Sequence, residues 1–566
     1  MLIIEEKKSV KLPALTSLFF TLPTFNKDLI DIFNQLDVMN YDAKSKTYEL
    51  PISKLFLIVS SSIKFYDVEF RPYHEKPVKW KKLCAISNLP KFKANLYSHQ
   101  LDGIEYGLNN NGWLLLDDCG LGKTLQMIYL AEVLKNIEHI DHCLIICGVN
   151  NLKYNWANEI TKYSNLSYRI LGQKITKSGK STIGSVEERL NELKNPINEF
   201  FVITNLETLQ QKKGSKKSFY NYFKSSKNNF GMIVLDEAHK CKDPNSLAGS
   251  TLLKLKSNHN IALTGTIIMN NPEDAYVPLK WTGNVNSTFG MFKRMYNVYG
   301  GFGGVQVIGH KNLELLQQLI SSCSLRRLKS DVLDLPDKNY IIEYVEMSSP
   351  QKNLYEEVAQ GIARELDLLP YKKQMTIMQE LIANMRARQV TAWPGMLNSD
   401  NIESAKLVRL KELVDEIISQ GDKVVIFCTF KSCVNEIASR LSVYNPVTCT
   451  GDDTDIVIEE NKRIFQTDNN CKVLIATWQK MGTGHTLTAA NYAIFLDTPY
   501  TDADFQQCAD RIYRIGQNKK CFIITLVTKD TYDERVLDIV RNKEIISNYL
   551  VDNIESDNLI DLKDFE

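Results

Sequence analysis

One stretch limits the possible folds of this chain more than any other: residues 113–126, Trp-Leu-Leu-Leu-Asp-Asp-Cys-Gly-Leu-Gly-Lys-Thr-Leu-Gln. The apolar run from Trp113 to Leu116 is typical of a buried parallel strand, and a helical spacing of apolar residues begins after Lys123. Strand, glycine turn, Gly-Lys-Thr and helix is the arrangement of a phosphate-binding loop. The stretch therefore predicts an α/β fold that binds phosphate at the start of a helix.

The polar residues of this loop each have a role that their position suggests. Gly120 and Gly122 let backbone N–H groups converge on phosphate oxygens, and the helix dipole adds positive potential. Lys123 is expected to reach the β- and γ-phosphates, and the Thr124 hydroxyl to hold Mg²⁺. Asp117 stands where such loops usually begin with glycine. An ordinary turn that contains Gly-Lys-Thr therefore stays open as the alternative for the loop taken alone.

The composition indicates the broad class of protein but does not identify a ligand. At 566 residues the chain is expected to form several modules, and a net charge of +1 neither predicts nor excludes a polyanionic partner. Twelve cysteines without a Cys-x-x-Cys pair favour reduced, mostly buried thiols in an intracellular protein with no zinc site. Met1–Ile4 is followed at once by two glutamates, and no apolar run approaches ~18 residues, so we expect neither a signal peptide nor a membrane span.

Two carboxylates follow an apolar run at 232–235, in the order Asp236-Glu237-Ala238-His239. A strand that ends in Asp-Glu places both acids at the carboxyl edge of a sheet, beside the phosphate loop. Asp236 is expected to bind Mg²⁺ and Glu237 to orient or deprotonate an attacking water, with a solvated turn as the alternative. Upstream of the loop, the Gln100 amide can both donate to and accept from an adenine edge.

A second α/β rhythm begins near Lys423 and has no phosphate loop of its own. Arg511 and Arg514 lie near its end, three residues apart, so on a helix they share one face. Two guanidinium groups on one face can reach a γ-phosphate that the other lobe binds. A surface arginine pair is the alternative for this motif in isolation.

Three other regions carry weaker patterns. Residues 1–85 predict a small α+β module, with two short strands around the polar turn Asp42–Lys46. Residues 211–230 contain six lysines and no acid; they favour a solvated loop that leads into a helix over a contact with nucleic-acid phosphates. Residues 336–420 have heptad-like spacing and predict long helices at 354–368, 375–389 and 405–420.

Taken in order, these segments resemble the Snf2 family of superfamily 2 helicase-type motors. The resemblance covers roughly residues 90–550 and rests on the following matches: Gln100, Asp117–Thr124, Leu152–Trp156, Ile203–Leu209, Asp236–Lys240, Leu263–Thr266, Leu325–Lys329, Thr486–Ala490 and Asp510–Gln517. Arg-Ile-Gly-Gln and Leu-Arg-Arg-x-Lys are markers of this family in particular. The family's loop usually begins with Asp, so Asp117 becomes a point of agreement.

The resemblance implies an α/β fold with two RecA-like parallel-sheet lobes, Snf2-type helical insertions and a small α+β N-terminal module. The implied domains are residues 1–85 (accessory module), 86–335 (first lobe, ATP-binding), 336–405 (helical insertion or bridge) and 406–566 (second lobe).

The resemblance also implies ATP and Mg²⁺ as cofactors and assigns roles to named residues. The implied catalytic residues are Lys123, Asp236, Glu237, Arg511 and Arg514; the implied ATP-binding residues are Gln100, Gly120, Leu121, Gly122, Lys123, Thr124, Leu125, Gly482 and Gln507; and the implied Mg²⁺ ligands are Thr124 and Asp236. The implied partner is duplex or branched DNA, bound without sequence preference by Lys153, Asn155, Trp156, Asn205, Lys431, Thr477, Trp478 and Gln479. We expect a monomer in the cytoplasm of a bacterial or phage-infected cell, or in the nucleus if the source is eukaryotic.

Within the family, the segments Tyr299–Gly301 and Gly309–Leu316 are similar to the annealing-helicase-like branch. Residues Asn40–Pro51 resemble the HARP accessory module of that branch, with Tyr48 at a position where tryptophan is usual. The resemblance thus implies an ATP-dependent DNA translocase with fork-remodelling or strand-annealing activity. A strand-separating helicase and a nucleotide-gated DNA-binding module without turnover remain the alternatives, and a chromatin remodeller ranks below them.

Overall fold

The structure is a computed structural model of the 566-residue chain. It describes residues 1–35, 39–62, 65–66, 68–71, 81–86, 89–149, 152–175, 181–210, 219–225, 228–269, 271–300, 306–333, 335–367, 377–399, 401–481, 486–514 and 516–541. The described residues divide into two compact units, one that extends to Leu328 and one that begins at Lys329. Each unit is considered by itself below.

The first unit opens with a small module around a five-stranded sheet, whose strands lie in the order 40–42, 47–51, 16–21, 2–8, 68–71. Its elements are β1 (Leu2–Lys8), β2 (Thr16–Thr21), α1 (Lys27–Gln35), β3 (Asn40–Asp42), β4 (Thr47–Pro51), α2 (Leu55–Ser62) and β5 (Val68–Arg71). The predicted hairpin around Asp42–Lys46 is confirmed, because β3 and β4 pair antiparallel. Phe20, Phe33 and Tyr48 form an aromatic cluster with ring centroids 5.0–5.9 Å apart, which gives the module its own core.

The segment between β1 and β2 attaches this module to the rest of the first unit. The side chain of Leu12 is fully buried in the same apolar cluster as Trp281 and Leu316. The amide of Asn286 donates to the carbonyl of Lys11 at 2.8 Å. The module therefore shares both core and hydrogen bonds with the larger sheet that follows it.

The larger sheet of the first unit has seven parallel strands in the order β16-β6-β13-β12-β7-β11-β8. These strands are β6 (Gly112–Leu115), β7 (His142–Cys147), β8 (Tyr168–Ile170), β11 (Phe201–Asn205), β12 (Phe230–Asp236), β13 (His259–Leu263) and β16 (Ser324–Leu325). Two antiparallel hairpins lie outside this sheet: β9 (Gln173–Ile175) pairs with β10 (Ser181–Ile183), and β14 (Asn297–Gly300) pairs with β15 (Gln306–His310). The central strands are continuous apolar runs, as expected for strands covered by helices on both faces.

The helices of the first unit that follow the N-terminal module are α3 (Ser98–Asn109), α4 (Lys123–Ile137), α5 (Leu152–Tyr163), α6 (Val186–Glu192), α7 (Leu206–Leu209), α8 (Phe219–Ser225), α9 (Leu247–Leu252), α10 (Tyr276–Trp281), α11 (Phe289–Tyr296) and α12 (Leu313–Cys323). Helix α8 begins where the lysine-rich stretch predicted a helix, and Phe219 and Tyr222 are buried on it. Lys212, Lys213, Lys216, Lys217 and Lys227 lie outside the described residues.

The second unit is built on six parallel strands in the order β17-β22-β21-β18-β20-β19. They are β17 (Lys338–Val345), β18 (Val424–Cys428), β19 (Val447–Cys449), β20 (Val473–Thr477), β21 (Tyr492–Phe495) and β22 (Cys521–Thr528). The helices are α13 (Lys329–Val332), α14 (Ser349–Asp367), α15 (Ile377–Ala392), α16 (Ala405–Ser419), α17 (Lys431–Arg440), α18 (Asp455–Thr467), α19 (Trp478–Met481) and α20 (Asp502–Ala509). The predicted parallel-sheet α/β architecture is thus found in both units.

The expectation of a helical bridge over 336–405 is wrong at its start, because β17 is a strand. It pairs with β22 along eight residues and forms one edge of the second sheet. Tyr340, Ile341 and Tyr344 are 41–50% exposed on this edge. With both apolar and charged residues on an edge strand, the segment lacks the continuous apolar run that marks the central strands.

Helices α15 and α16 are joined to the second sheet by buried charges. Lys406 is 1% exposed; its ammonium lies 2.6 Å from a carboxylate oxygen of Asp533 and donates to the carbonyl of Leu496 at 2.8 Å. Arg388 donates to the carbonyl of Thr498 at 2.7 Å and pairs with Asp497. Helices α15 and α16, which lie between β17 and β18 along the chain, therefore pack on the core of the second unit.

Replacing Lys406 with alanine is expected to lower the free energy of unfolding of the second unit by about 3–5 kcal/mol, because Asp533 would be left buried without its cation. The matched control is Lys411→Ala, which removes an exposed i,i+4 pair with Asp415 and should cost about 0.3–0.5 kcal/mol. Native-state hydrogen exchange of the amides in β21 and β22 measures both changes. Equal protection in the two variants would contradict the assignment of Lys406 to the core.

The cysteines agree with the expectation of mostly buried thiols. Ten of the twelve cysteines are buried, and all twelve are free thiols. In the part of the chain that the structure describes, no helix combines the length and the apolar character needed to cross a bilayer.

Candidate active site

The phosphate loop lies between β6 and α4, as predicted, and its two glycines have left-handed backbone. Gly120 has φ +97° and Gly122 has φ +80°, a region that side chains other than glycine rarely adopt. A Cβ atom on Gly122 would also lie 2.4 Å from the amide nitrogen of Gln100. Both backbone geometry and space therefore demand glycine at the start of the helix.

The first turn of α4 carries the charged and hydroxyl groups of the loop. The ammonium of Lys123 donates to the carbonyl of Asp117 at 2.6 Å and to that of Asp118 at 3.3 Å, so it is held against the loop. Thr124 is the next residue of the helix and is half-buried, as are Gly120 and Leu125, while Leu121 is fully buried. A lysine, a hydroxyl and free N–H groups at a helix N-terminus are the donors that a polyphosphate requires.

Gln100 packs directly on this loop from α3. Its amide nitrogen donates to the carbonyl of Leu121 at 3.2 Å, and its amide oxygen accepts from the backbone N–H of Tyr97 at 3.1 Å. The side chain is 3% exposed. Gln100 is thus positioned beside the loop, with each end of its amide engaged by backbone.

Asp236 is the last residue of β12 and Glu237 directly follows it, two strands away from β6, at the carboxyl edge of the same sheet. The indole N–H of Trp156 donates to the Asp236 carboxylate at 2.8 Å. Burial and the neighbouring Glu237 carboxylate raise the pKa of Asp236 to about 6, although the Trp156 bond and the Lys123 ammonium oppose the rise. Asp236 is therefore close enough to Lys123 for their charges to interact.

Glu237 has a strained backbone, with φ +51° and ψ +53°. A non-glycine residue in the left-handed region costs free energy and persists where the surrounding structure over-determines it, which is common at functional sites. The amide of Gly148 donates to the carbonyl of Asp236 at 2.8 Å, and a Cβ on Gly148 would lie 2.8–3.0 Å from atoms of Asp236 and Glu237. The turn after β12 is therefore closely packed against the end of β7.

His239 connects Glu237 to the end of the adjacent strand β13. Its Nδ1 atom lies 3.3 Å from a Glu237 carboxylate oxygen and 3.0 Å from the Thr264 hydroxyl. The Thr264 hydroxyl donates to the carbonyl of Thr266 at 2.8 Å, so it accepts from His239, which places the proton on Nδ1. The imidazole of His239 therefore lies close to both the Glu237 carboxylate and the segment that follows β13.

Two arginines that the sequence pattern marked without a role bind the base of the phosphate loop. Arg327 donates to Asp117 Oδ1 at 2.8 Å and to the other carboxylate oxygen of Asp117. Arg326 donates to the carbonyl of Leu116 and pairs with Asp118, both at 2.7 Å. Because Asp117 is completely buried, Arg327 supplies the cation that its carboxylate needs.

In the second unit, the prediction that Arg511 and Arg514 share a helix face is wrong. Helix α20 ends at Ala509, and the following residues form turns in which the N–H of Arg511 bonds the carbonyl of Cys508 at 3.0 Å. Arg511 is 1% exposed and its Nε donates to the carbonyl of Gln507 at 2.8 Å, whereas Arg514 is half-buried and donates to the Thr486 hydroxyl at 3.2 Å. Gln507 is buried on α20, and Gly482 lies outside the described residues.

The structure does not support four of the eight predicted DNA contacts, because their side chains are buried. Trp156 is 1% exposed and bound to Asp236, and Lys153, Asn205 and Thr477 are 3–6% exposed. The position of a motif along the chain does not show which face its residues take. The members with exposed or half-buried side chains are Asn155, Lys431, Trp478 and Gln479.

Two protein-family models match this chain. Residues 40–396 match the model described as SNF2-related domain, and residues 405–516 match the helicase conserved C-terminal domain. The chain is 26% identical over 555 residues to an uncharacterized ATP-dependent helicase of Mycoplasma pneumoniae (93% of this chain, 50% of the relative). It is 28% identical over 514 residues to the putative ATP-dependent helicase/translocase YwqA of Bacillus subtilis (85% and 52%).

The chain spans about half the length of these curated relatives. Among solved structures, the Sulfolobus solfataricus SWI2/SNF2 ATPase core in complex with dsDNA is 25% identical, with a TM-score of 0.36 over 81% of this chain and 95% of that chain. Because the SNF2-related model alone matches more than half of the residues, the chain belongs to the family of proteins with an SNF2-related domain, followed here by a helicase conserved C-terminal domain.

Proposed function

We propose that this chain is an ATPase whose catalytic groups come from both units. The observation that carries the proposal is the pairing of a phosphate loop with two carboxylates at the end of a nearby strand, with Lys123 close enough to affect the pKa of Asp236. A lysine, a hydroxyl and an aspartate within one sheet edge are the groups that hold a magnesium-bound polyphosphate. The relatives' names, which describe ATP-dependent helicases, support the same reaction.

Each residue of the site then has a proposed task. Lys123 and the N–H groups of Gly120–Leu125 bind the phosphates, and Thr124 and Asp236 hold Mg²⁺, which supplies charge neutralisation for phosphoryl transfer. Glu237 orients and deprotonates the attacking water. Gln100 contacts the adenine edge with its second amide proton and its second oxygen lone pair, because the first of each is bonded to the backbone of Leu121 and Tyr97.

The second unit is proposed to complete the catalytic set. Arg514 and Arg511 stabilise charge on the transferred phosphoryl group, while Gln507 and Gly482 line the nucleotide. Since neither unit holds a full set, hydrolysis is expected to require both.

We further propose that hydrolysis drives movement on DNA. The name helicase/translocase of the Bacillus subtilis relative supports a motor, and the name DNA excision repair protein ERCC-6-like of a Danio rerio relative supports DNA as the track. Asn155, Lys431, Trp478 and Gln479 are the proposed contacts, and they would bind phosphates and sugars without reading sequence. The chain is proposed to act as a monomer.

The ATPase rate in the presence of single-stranded, duplex, forked and four-way DNA tests this function. We expect Mg²⁺-dependent hydrolysis that duplex or branched DNA stimulates; no hydrolysis with any DNA would favour a nucleotide-gated binding module instead. A triplex-displacement assay beside a forked-DNA unwinding assay then separates translocation from strand separation. Robust unwinding without triplex displacement would contradict the translocase.

We also propose that the N-terminal module directs the motor to branched DNA, as the similarity of Asn40–Pro51 to a HARP module implies. Lys44 and Lys46 are exposed in the turn between β3 and β4, so they are available to phosphates. Replacing both with glutamate is expected to remove the preference for forked over linear DNA and to leave the ATPase rate on linear duplex within about twofold. An unchanged preference would assign the module a packing role only.

The ATPase reaction is also expected to depend on pH through Asp236. Because the pKa of Asp236 is raised to about 6, its carboxyl becomes protonated as the pH falls through 6, and a protonated carboxyl does not bind Mg²⁺. The Mg²⁺ concentration for half-maximal rate should therefore be constant above pH 7 and rise about tenfold per unit below pH 6.

The matched variant for this prediction is Trp156→Phe. It keeps an aromatic ring but removes the N–H donor that lowers the pKa of Asp236. The Mg²⁺ concentration for half-maximal rate should therefore begin to rise at a higher pH in this variant. Titration of the nucleotide's own phosphates is common to both chains and cancels in the comparison. Superimposable pH profiles of the two chains would contradict the role of Asp236.

A further inference from the structure

The segment Leu325–Lys329 is where the chain leaves the first unit and enters the second. Strand β16 ends at Leu325, the first unit ends at Leu328, and α13 begins at Lys329. The segment contains three cations in five residues, and each of them has a partner inside its own unit. Such a segment differs from an ordinary interdomain linker, which is exposed and makes few contacts.

On the side of the first unit, the segment is bonded to the phosphate loop by backbone and side chains together. The amide of Leu116 donates to the carbonyl of Leu325 at 2.8 Å, and the amide of Asp118 donates to the carbonyl of Arg327 at 3.1 Å. The Arg327 guanidinium contacts both carboxylate oxygens of Asp117 and donates to Gln126 Oε1 at 3.0 Å. These bonds run alongside the loop from its first residue.

Asp117 connects this contact to the residue that binds phosphate. Its carboxylate is held by Arg327, and its carbonyl accepts the Lys123 ammonium at 2.6 Å. A bidentate guanidinium–carboxylate pair fixes orientation as well as distance. Arg327 therefore determines the position of the loop backbone against which Lys123 rests.

On the side of the second unit, the segment is bonded to the turn that carries both candidate catalytic arginines. The ammonium of Lys329 lies 2.7 Å from Asp510 Oδ2 and donates to the carbonyl of Tyr513 at 3.1 Å. Asp510 directly precedes Arg511, and Tyr513 directly precedes Arg514. Lys329 is 5% exposed, so this contact is part of the packed interior.

A second lysine shares the same carboxylate but belongs to the sheet. The ammonium of Lys338, on β17, lies 3.0 Å from Asp510 Oδ1. Although burial alone would raise it, the ammonium groups of Lys338 and Lys329 lower the pKa of Asp510 to about 2. Asp510 therefore keeps one cation if the other is removed, which allows the two lysines to be compared.

We propose that Leu325–Lys329 is a strap that ties the phosphate loop to the turn bearing Arg511 and Arg514, with Arg327 and Lys329 as positioning residues for ATP hydrolysis. Only Leu328 lies between these two anchors, and the Cα atoms of Arg327 and Lys329 are at most ~7 Å apart when the chain is extended. A displacement of the phosphate loop thus pulls on the arginine turn through a short segment with little slack. This inference rests on the proposed ATPase function and adds to it the element that links the two halves of the catalytic set.

An insertion in the strap distinguishes the effect of its short length from the effect of its bonds. Placing Gly-Ser-Gly between Leu328 and Lys329 leaves every bond of Arg327 and Lys329 available but adds slack. We expect the affinity for a fluorescent ATP analogue and the melting temperature to stay unchanged, while kcat of DNA-stimulated hydrolysis falls by about 10²-fold. The same insertion after Gly421, in an exposed turn with φ +85°, is the control and should leave kcat unchanged.

Substitutions of the two lysines that pair with Asp510 provide an independent test. Lys329→Met and Lys338→Met each remove one ammonium from the same carboxylate, but only Lys329→Met breaks the strap. A much larger loss of kcat in Lys329→Met, with KM for ATP unchanged and activity restored by Lys329→Arg, supports the proposal; equal losses overturn it, as does a strap insertion with normal kcat. If the unaltered chain hydrolyses no ATP, the proposed function itself fails and the strap loses its basis.

Discussion

Glu237→Gln is expected to lower kcat of DNA-stimulated ATP hydrolysis by about 10²- to 10⁴-fold, the range typical for loss of a general base. Glutamine has the shape of glutamate but cannot accept a proton from water. The turn that holds residue 237 is fixed by the strained backbone and by the contact with Gly148, so the amide should occupy the same place. Phosphate release under single-turnover and steady-state conditions measures the loss.

The variant should still bind ATP, because Lys123, Thr124 and Asp236 are unchanged. Affinity for a fluorescent ATP analogue is therefore the second measurement, and it separates a loss of chemistry from a loss of binding. Glu314→Gln, an exposed acid in the first turn of α12, is the control for removing one carboxylate from the first unit. Hydrolysis by Glu237→Gln at the rate of the unaltered chain would favour a passive nucleotide-gated module.

Arg514→Gln is expected to have the second large effect, a loss of about 10³- to 10⁵-fold in kcat, as for removal of an arginine that stabilises the transferred phosphoryl group. Affinity for ATP should change little, since the phosphate loop and both carboxylates belong to the first unit. Arg514 suits this test because it is half-buried and its Nη1 donates to the Thr486 hydroxyl. Arg511 is buried, so its replacement would also disturb packing.

The control for Arg514 is a structural arginine of the same unit. Arg440 pairs with Glu403 and Glu436 at the surface, with its side chain 29% exposed, and Arg440→Gln should leave kcat within about twofold because exposed pairs contribute little. Melting temperatures of both variants show whether either unfolds the unit. Turnover by Arg514→Gln close to that of the unaltered chain would remove Arg514 from the catalytic set.

Some features of this molecule could be predicted from local sequence, because they depend on the apolar character, turn preference or backbone conformation of neighbouring residues. Strands β12 and β18 are continuous apolar runs, which suit only a strand covered on both faces. The turn Asp42–Lys46 joins two short strands because polar residues there separate two segments with strand character. Gly122 must have left-handed backbone for the loop to enter α4.

Other features depend on partners that are far away in the chain. Asp117 departs from the general phosphate-loop pattern, and nothing beside it shows why a carboxylate is tolerated there. Its cation is Arg327, 210 residues later. Trp156 was predicted as a DNA contact from its place in a motif, but the indole is buried because its N–H serves Asp236, 80 residues away.

The sequence alone determined the phosphate loop, the carboxylate pair and the two parallel-sheet units, since glycine turns and uninterrupted apolar strands leave few other folds. Only the tertiary structure decided which motif residues are buried, where α20 ends before Arg511, that Arg326 and Arg327 bind the phosphate loop within the first unit, and that Lys329 binds Asp510 within the second. The physical reason is that burial and ion pairing are settled by contacts between distant segments. The position of a residue in a motif indicates the chemistry of its side chain but does not show which distant residue the side chain contacts.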